Sequence, residues 1–567
     1  MKTPQPYKSL IIFCIGFCML SFMSVQKISA QDYRYLIQTN QFGKAKTLML
    51  HDLKNNRLPG SFIYQLGKIY LQEKNADSAV RAFEFLDQTD NEQKLLYTLG
   101  NYKATLNDNN QVEINLSLQK SIKQFSYSKS ILVKLEVAEL LATIGEVDQA
   151  SQFIEEACNQ TPVRAENFVS AGDVYVRLSY LLNNKELYGK ACGRYEQALL
   201  VDNEYLPAHT ALAKAYIHSR NFTEARIKLN TALSIDSTWI PALQLMGELQ
   251  YDLGKYDQAS KYYTEYISKI NPGKLQLQKY SFILYFNKEY AKSREILAQL
   301  LKSDPDNRVL LRLMAYTSCE LQDPDQGLQA MQKLHMVTEK SDTVKLLATD
   351  FGYYGRLLSQ KGNDSLAIDK YLKAITIDST DAGIYENMAK SYEKTKNYLM
   401  AYQSYGKAIE NIETPPASLW FTKGRMAMLV SEQNANDSVI RSQMLQSAVS
   451  IFQKVADLSP SSHLGFLWKA RAQASMDPES TSGLAEDSYN SALGIMEQKN
   501  QPSKYKSELV ESYSYLAYLN YLRFESHLST DKDKAETYKT LSLSYWDKIL
   551  VIDENNQTAL QAKRTIK

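Results

Sequence analysis

Small residues recur at an interval of 34 positions along much of this 567-residue chain. Ala213, Gly247, Ser281 and Ala315 form one such series. A repeat period of about 20–50 residues is typical of arrays in which each unit buries its apolar face only against its neighbours. The chain is therefore predicted to fold as a series of stacked units and not around one central core.

The pattern inside one unit is readable in residues 213–237, where small and large apolar residues alternate at fixed spacings. Small residues at Ala213 and Ala225 would let two helices approach closely. Tyr216 and Leu229 would fill the space beside them, and Ala232 would admit the next unit. Polar turns such as HSRN, DLGK, QKGN and KTKN fall between the two predicted helices. Each unit is thus predicted to be a helix–turn–helix.

This pattern resembles the tetratricopeptide repeat, a helix–turn–helix unit of about 34 residues. The resemblance covers most of residues 31–567 and implies an all-α fold, a right-handed α-solenoid of about thirteen such units. Residues 416–567 are predicted to form an irregular, tetratricopeptide-like helical C-terminal part. The main array is predicted over 31–415, with units near 33–57, 60–93, 94–130 (degenerate), 131–164, 165–205, 206–239, 240–273, 274–307, 308–341, 348–381 and 382–415.

Four departures from the period stand out. The unit at 94–130 keeps Gly100 but has no alanine twelve residues later. The unit at 165–205 carries about seven extra residues around LSYLLNNKEL, and six extra residues precede the unit at 348. The units lengthen after Pro415-Pro416, where we place a boundary.

The N-terminus has the organisation of a secretory signal peptide. Lys2 and Lys8 precede an apolar run at 10–25, and QKISAQD follows it. We predict a signal peptide at 1–30 that is cleaved after Ala30, which would place the protein in the periplasm or cell envelope. An uncleaved anchor is the alternative, although the run is shorter than the roughly 20 residues that span a bilayer. No stable membrane span is predicted after cleavage.

Charge and motifs offer little sign of chemistry. The net charge of +2 gives no global field that would attract nucleic acid, so no nucleic-acid partner is predicted. The six histidines have no second histidine or cysteine at metal-ligand spacing. Phosphate-binding glycine loops and nucleophile or metalloprotease motifs are also missing from the sequence. We therefore predict no enzyme activity, catalytic residue, metal or cofactor.

The resemblance also suggests where a partner would bind, because first helices line the concave side of such arrays. Five aromatic residues are predicted to cluster over three adjacent units beside Arg312 and Arg356: Tyr251, Phe282, Tyr285, Phe286 and Tyr316. Exposed aromatics with arginine are typical binding hot spots. The alternative is that several of these aromatics belong to the core. The family's C-terminal-carboxylate clamp looks absent, since its positions hold Thr210, Gln244, Gln278 and Arg312. The candidate groove residues are Lys214, His218, Tyr251, Phe282, Tyr285, Phe286, Arg312, Tyr316, Arg356 and Lys390.

The resulting hypothesis is a non-catalytic exported scaffold that binds a peptide or protein partner in its concave groove and organises envelope complexes. A glycan- or nutrient-capture protein of the envelope is the alternative, although that class is tryptophan-rich and this chain has four tryptophans. An enzyme site after residue 415 is a third possibility. Asp-Ser and Asp-Thr pairs, as at 236–237 and 364–365, are either helix caps or glycosylation sites.

Overall fold

The computed structural model describes residues 30–39, 41–106, 109–340 and 345–566, and within these ranges it is built from 29 α-helices and no strands. This confirms the all-α prediction. Most helices follow one another as antiparallel pairs joined by short turns. Their bounds are α1 Ala30–Gln38, α2 Phe42–Lys54, α3 Gly60–Gln72, α4 Ala76–Phe83, α5 Asn91–Thr105, α6 Gln111–Ser126, α7 Ile131–Thr143, α8 Val147–Cys158, α9 Ala165–Leu181, α10 Lys185–Val201, α11 Leu206–His218, α12 Phe222–Ile235, α13 Ile240–Asp252, α14 Tyr256–Lys269, α15 Lys274–Phe286, α16 Tyr290–Ser303, α17 Arg308–Glu320, α18 Pro324–Glu339, α19 Ala348–Gln360, α20 Asp364–Ile377, α21 Ala382–Lys394, α22 Tyr398–Glu410, α23 Ala417–Gln433, α24 Ser438–Leu458, α25 His463–Met476, α26 Glu486–Lys499, α27 Lys506–His527, α28 Lys532–Ile552 and α29 Gln557–Thr565.

The helices form two compact units, which divide between Glu289 and Tyr290. This division falls inside the predicted unit at 274–307, between α15 and α16. The predicted signal peptide lies outside the described residues except for Ala30, its last residue. Of the helices that the structure describes, none combines the length and hydropathy that a membrane span requires.

The 34-residue period corresponds to the packing of small residues against aromatic ones. A Cβ added at Gly355 would lie 2.5 Å from the ring of Tyr371, sixteen residues later in the same unit. The same relation holds for Gly247 and Tyr263, at 3.0 Å. Because the first helix carries no side chain at this point, the ring of the second helix can occupy the space. Gly247, Gly355, Tyr263 and Tyr371 are therefore core residues, as the period predicts, whereas Tyr216 is only half-buried.

Replacing one of these glycines is expected to destabilise the array. Gly355→Ala would force the buried ring of Tyr371 to move, and overpacking of this kind costs about 1–3 kcal/mol. Gly189→Ala is a matched control, because a Cβ there meets no atom within 4 Å, and alanine stabilises a helix by about 0.5–1 kcal/mol relative to glycine. Thermal unfolding followed by circular dichroism should show opposite shifts for the two variants. Equal shifts would contradict the packing described here.

The polar turns between paired helices need one residue in the left-handed region. Arg220 and Lys396 have φ of 59°, and Gly254 has φ of 72°. The residue after the left-handed one often caps the second helix: the side chain of Asn221 accepts a hydrogen bond from the backbone N–H of Glu224, and Asn397 accepts one from Met400. The turns HSRN and KTKN thus end one helix and start the next.

The degenerate unit at 94–130 shows what the missing alanine does. Val112 lies twelve residues after Gly100 and is 75% exposed, and Leu116, at the position of the usual aromatic residue, is 62% exposed. Phe83 of the preceding unit packs against Gly100 instead. Helix α6 therefore buries a different face, which includes Leu118.

Candidate functional site

A group of aromatic side chains lies at the ends of two neighbouring first helices in the first compact unit. Phe286, at the end of α15, stacks on Tyr256 with ring centroids 5.1 Å apart. Tyr251, at the end of α13, meets Phe286 edge-on at 5.7 Å, and Tyr285 lies 5.4 Å from Phe286. Phe286 remains 41% exposed, while Tyr251 and Tyr285 are half-buried. The predicted residues Tyr251, Tyr285 and Phe286 are thus brought together at the surface.

A second aromatic group lies two units earlier, around His218. The ring of His218, at the end of α11, lies 4.9 Å from that of Tyr188 and 5.6 Å from that of Tyr180. Tyr180 is 61% exposed, and the adjoining Leu181 is also exposed. The seven-residue insertion explains this group, because it lengthens α9 to 17 residues and carries Tyr180 next to His218 of the following unit. Sequence reasoning identified the insertion but did not assign it to a surface.

We call these two groups together the aromatic edge, which consists of Tyr180, Tyr188, His218, Tyr251, Tyr256, Tyr285 and Phe286. Its members lie at the helix ends that flank the turns between first and second helices in four successive units. Lys214 is exposed one turn before His218, and Phe282 is half-buried one turn before Phe286. The nearby Asp173 accepts a hydrogen bond from the Tyr195 hydroxyl at 2.8 Å.

In the second compact unit, Arg312 and Tyr316 bind a buried carboxylate. Arg312 donates to both oxygens of Asp350 at 2.7 and 2.9 Å, and the Tyr316 hydroxyl donates at 2.6 Å. The backbone N–H of Leu347 donates to the same carboxylate at 2.8 Å. Hydrogen bonding to Asp350 raises the pKa of Arg312, and burial raises that of Tyr316. These two residues join successive units instead of presenting free side chains to a partner.

Arg356 and Lys390 also form internal pairs. The Arg356 guanidinium donates to Glu320 at 2.8 Å and lies over the ring of Tyr353, 4.8 Å from its centroid. Lys390 is exposed and pairs with Glu386 on its own helix at 2.6 Å. Of the predicted basic residues, only Lys214 and Lys390 are therefore exposed.

The first compact unit contains a buried charged cluster that sequence reasoning missed. Lys68 and Lys103 both donate to Glu136 and Glu139, which lie on α7. Arg177 adds an ion pair to Glu139. Burial lowers the pKa of Lys103 to about 7, against the attraction of Glu136. For Glu136, attraction to the two lysines outweighs burial and holds its pKa well below the usual value.

Comparison with protein families identifies the repeat. Residues 240–268, which lie within α13 and α14, match the family model described as tetratricopeptide repeat. Residues 355–396 match a second model, described as TPR repeat. The chain contains tetratricopeptide repeats. Such repeats support the coarse prediction of a protein-interaction scaffold and suggest protein partners.

The chain is similar to two solved tetratricopeptide repeat structures and to one yeast protein. The C-terminal part of a TPR repeat-containing protein from Cytophaga hutchinsonii is 27% identical, with a TM-score of 0.39, and the match covers 50% of this chain and 98% of that one. A tetratricopeptide repeat protein from Parabacteroides merdae is 17% identical, with a TM-score of 0.34, over 47% of this chain and 98% of that one. RNA polymerase-associated protein CTR9 of Saccharomyces cerevisiae is 25% identical over 189 residues, which are 30% of this chain and 17% of the yeast protein. The chain therefore spans about a sixth of that relative's length.

The tetratricopeptide units carry no recognisable metal centre in the described ranges. No group of three or more histidine, cysteine, aspartate or glutamate side chains there is placed to hold an ion. Cys158 and Cys319 are buried, Cys192 is half-buried, and burial raises the pKa of each thiol.

Proposed function

We propose that the protein is an exported, non-catalytic scaffold that binds a protein partner along the aromatic edge and so organises complexes of the cell envelope. The observation that carries this proposal is the aromatic edge itself. Within each of its two groups the rings contact one another across units, yet several remain partly exposed. Contiguous exposed aromatic surface is typical of protein-interaction sites.

The contrast with the rest of the array supports this assignment. Elsewhere the aromatic residues of the period are enclosed, as Tyr263 and Tyr371 are, at 1% exposure each. Phe286 and Tyr180 are many times more exposed and lie in the last turns of their helices, where a partner can reach them. Lys214 adds an exposed cation beside the edge, which suits a partner segment with both apolar and acidic side chains.

The proposal predicts that Phe286→Ala weakens partner capture without lowering stability. An exposed aromatic hot spot contributes about 2 kcal/mol or more to binding, so capture should fall by more than about tenfold. Tyr127→Ala is the matched control, because Tyr127 is 83% exposed and lies in the degenerate unit. The measurement is affinity capture from an envelope extract of the source organism, with partner identification and titration against each variant.

Stability must be measured alongside capture. Phe286→Ala should keep a melting temperature close to that of the wild type, since the ring is substantially exposed. A large fall in melting temperature would assign Phe286 to the core, and recovery of sugars with no protein would favour nutrient capture instead.

A further inference from the structure

The N-terminal helix of the described chain contacts units that are far from it in sequence. In a tetratricopeptide array each unit ordinarily touches only its neighbours. Here Arg34 pairs with Glu166 at 3.4 Å, and Gln38 donates to the hydroxyl of Tyr205 at 3.3 Å. Tyr35 meets Trp239 edge-on at 6.0 Å. We call this contact between α1 and the later turns the seam; it lies entirely within the first compact unit.

The contacts of the seam are weak compared with those inside the array. Arg34 and Glu166 keep about half of their side-chain surface exposed, and such pairs contribute roughly 0–1 kcal/mol. The opposite face of α1 is anchored firmly, because Tyr33 is buried, packs on Phe62 and donates to Asp52. Helix α1 is therefore held by its own unit and only lightly by the later ones.

A partly open cavity of about 590 Å³ lies beside the seam, within the range of about 300–1,000 Å³ that small-molecule sites occupy. One wall comes from the first two helices and includes Leu36, Phe42 and Leu48. The opposite wall comes from the end of α14 and the turn after it, including Tyr266 and Ile270. The cavity is thus built from two segments more than 200 residues apart, and these apolar side chains alternate in its lining with polar ones: Thr39, Gln41, Thr47, Asn271 and Gln276.

The charge in the cavity lining is positive and comes from one residue. Lys44 is the only charged residue in the lining, which contains no carboxylate. Its ammonium donates to the side-chain amide of Gln41 at 3.0 Å, and no ion pair neutralises it among the described residues. An ammonium beside an apolar cavity is complementary to a ligand with an apolar body and one anionic head.

We propose that this cavity binds an amphipathic carboxylate, with its chain between Leu36 and Ile270 and its carboxylate at Lys44, and that the bound ligand strengthens the contact between the two walls. A ligand that touches both walls stabilises this arrangement by mass action. No residue of the aromatic edge lines this cavity, so the ligand-binding proposal can be tested independently of the proposed scaffold function.

The test is a fluorescence titration of the full mature chain with dansyl-labelled undecanoate. Saturable binding at one site per chain is expected, with displacement by dodecanoate and not by dodecyltrimethylammonium. Gly43 lines the cavity, and a Cβ added there meets no atom within 4 Å. Gly43→Leu should therefore fold, fill the cavity and weaken binding by more than about tenfold.

Two further variants separate this site from non-specific binding. Gly189→Leu places the same side chain at another open helical position and should bind like the wild type. Lys44→Gln should weaken dodecanoate by roughly tenfold, the usual value of a charge-assisted hydrogen bond. Absence of saturable binding, equal displacement by the cation, or unchanged binding in Gly43→Leu would each overturn the proposal.

Discussion

Replacement of Asp350 by alanine is expected to destabilise the second compact unit by about 3–5 kcal/mol, the usual cost of removing one partner of a buried ion pair. Asp350 is fully buried and accepts four hydrogen bonds, two from Arg312 and one each from Tyr316 and Leu347. Its loss would leave the guanidinium and the phenol without their acceptor. It would also free the start of α19, which follows the six extra residues in the repeat.

Hydrogen exchange and chemical denaturation would measure this effect. The amides of α17 and α19 should lose protection in Asp350→Ala. Asp325→Ala is the control, because Asp325 also pairs across units, with Lys361, but keeps 72% of its side chain exposed; a change within about 0.5 kcal/mol is expected. Equal effects of the two substitutions would contradict the structural role of Asp350.

Glu136→Gln should be comparably severe in the first compact unit. The glutamine keeps the shape of the side chain but removes the charge that Lys68 and Lys103 share. Because these ammonium groups are largely buried, the expected cost is about 3–5 kcal/mol. Glu113→Gln, at an exposed position on the neighbouring α6, should change the free energy of unfolding by less than about 0.5 kcal/mol.

In the wild type, acid should lower the free energy of unfolding for the same reason, because protonation removes the charge of Glu136. The pKa of Glu136 lies below its usual value of 4.5, so the unfolded chain takes up the proton first as the pH falls. The stabilisation by Glu136 is therefore complete above pH 4.5 and is lost progressively below it. Denaturation at several pH values should show a smaller acid dependence in Glu136→Gln, and an unchanged dependence would contradict this assignment.

The core of the array was predictable from sequence because packing repeats with the chain. Ala213, Ala225, Leu229 and Ala232 were assigned to the core from their spacing, and all four have 0% exposure. Steric fit between paired helices depends on residue size at fixed positions, and size can be read from a single sequence.

The polar contacts were not predictable in the same way. Arg312 and Tyr316 were assigned to a groove because they lie beside core positions, but Asp350, 38 residues after Arg312, takes up both. The cluster at Glu136 joins residues 33 and 68 positions apart. Charged residues occur throughout the chain, and although 68 is twice the period, 33 and 38 are not multiples of it, so no single spacing distinguishes these pairs.

The aromatic edge was predictable from sequence only in part. The structure brings Tyr251, Tyr285 and Phe286 together, because Tyr251 lies one period before Tyr285 and both lie at the end of a first helix. Tyr180 and Tyr188 were missed because the insertion at 178–187 breaks the register that located the others.

The central claim is that a protein partner binds along the aromatic edge. Replacing Phe286 by the photocrosslinker p-benzoylphenylalanine, with the same replacement at Tyr127 as control, tests this most directly. Irradiation in the envelope of the source organism, followed by mass spectrometry, should give one protein crosslinked through position 286 and absent from the position 127 sample. The same set of proteins at both positions, or no crosslinked protein at position 286, would contradict the claim.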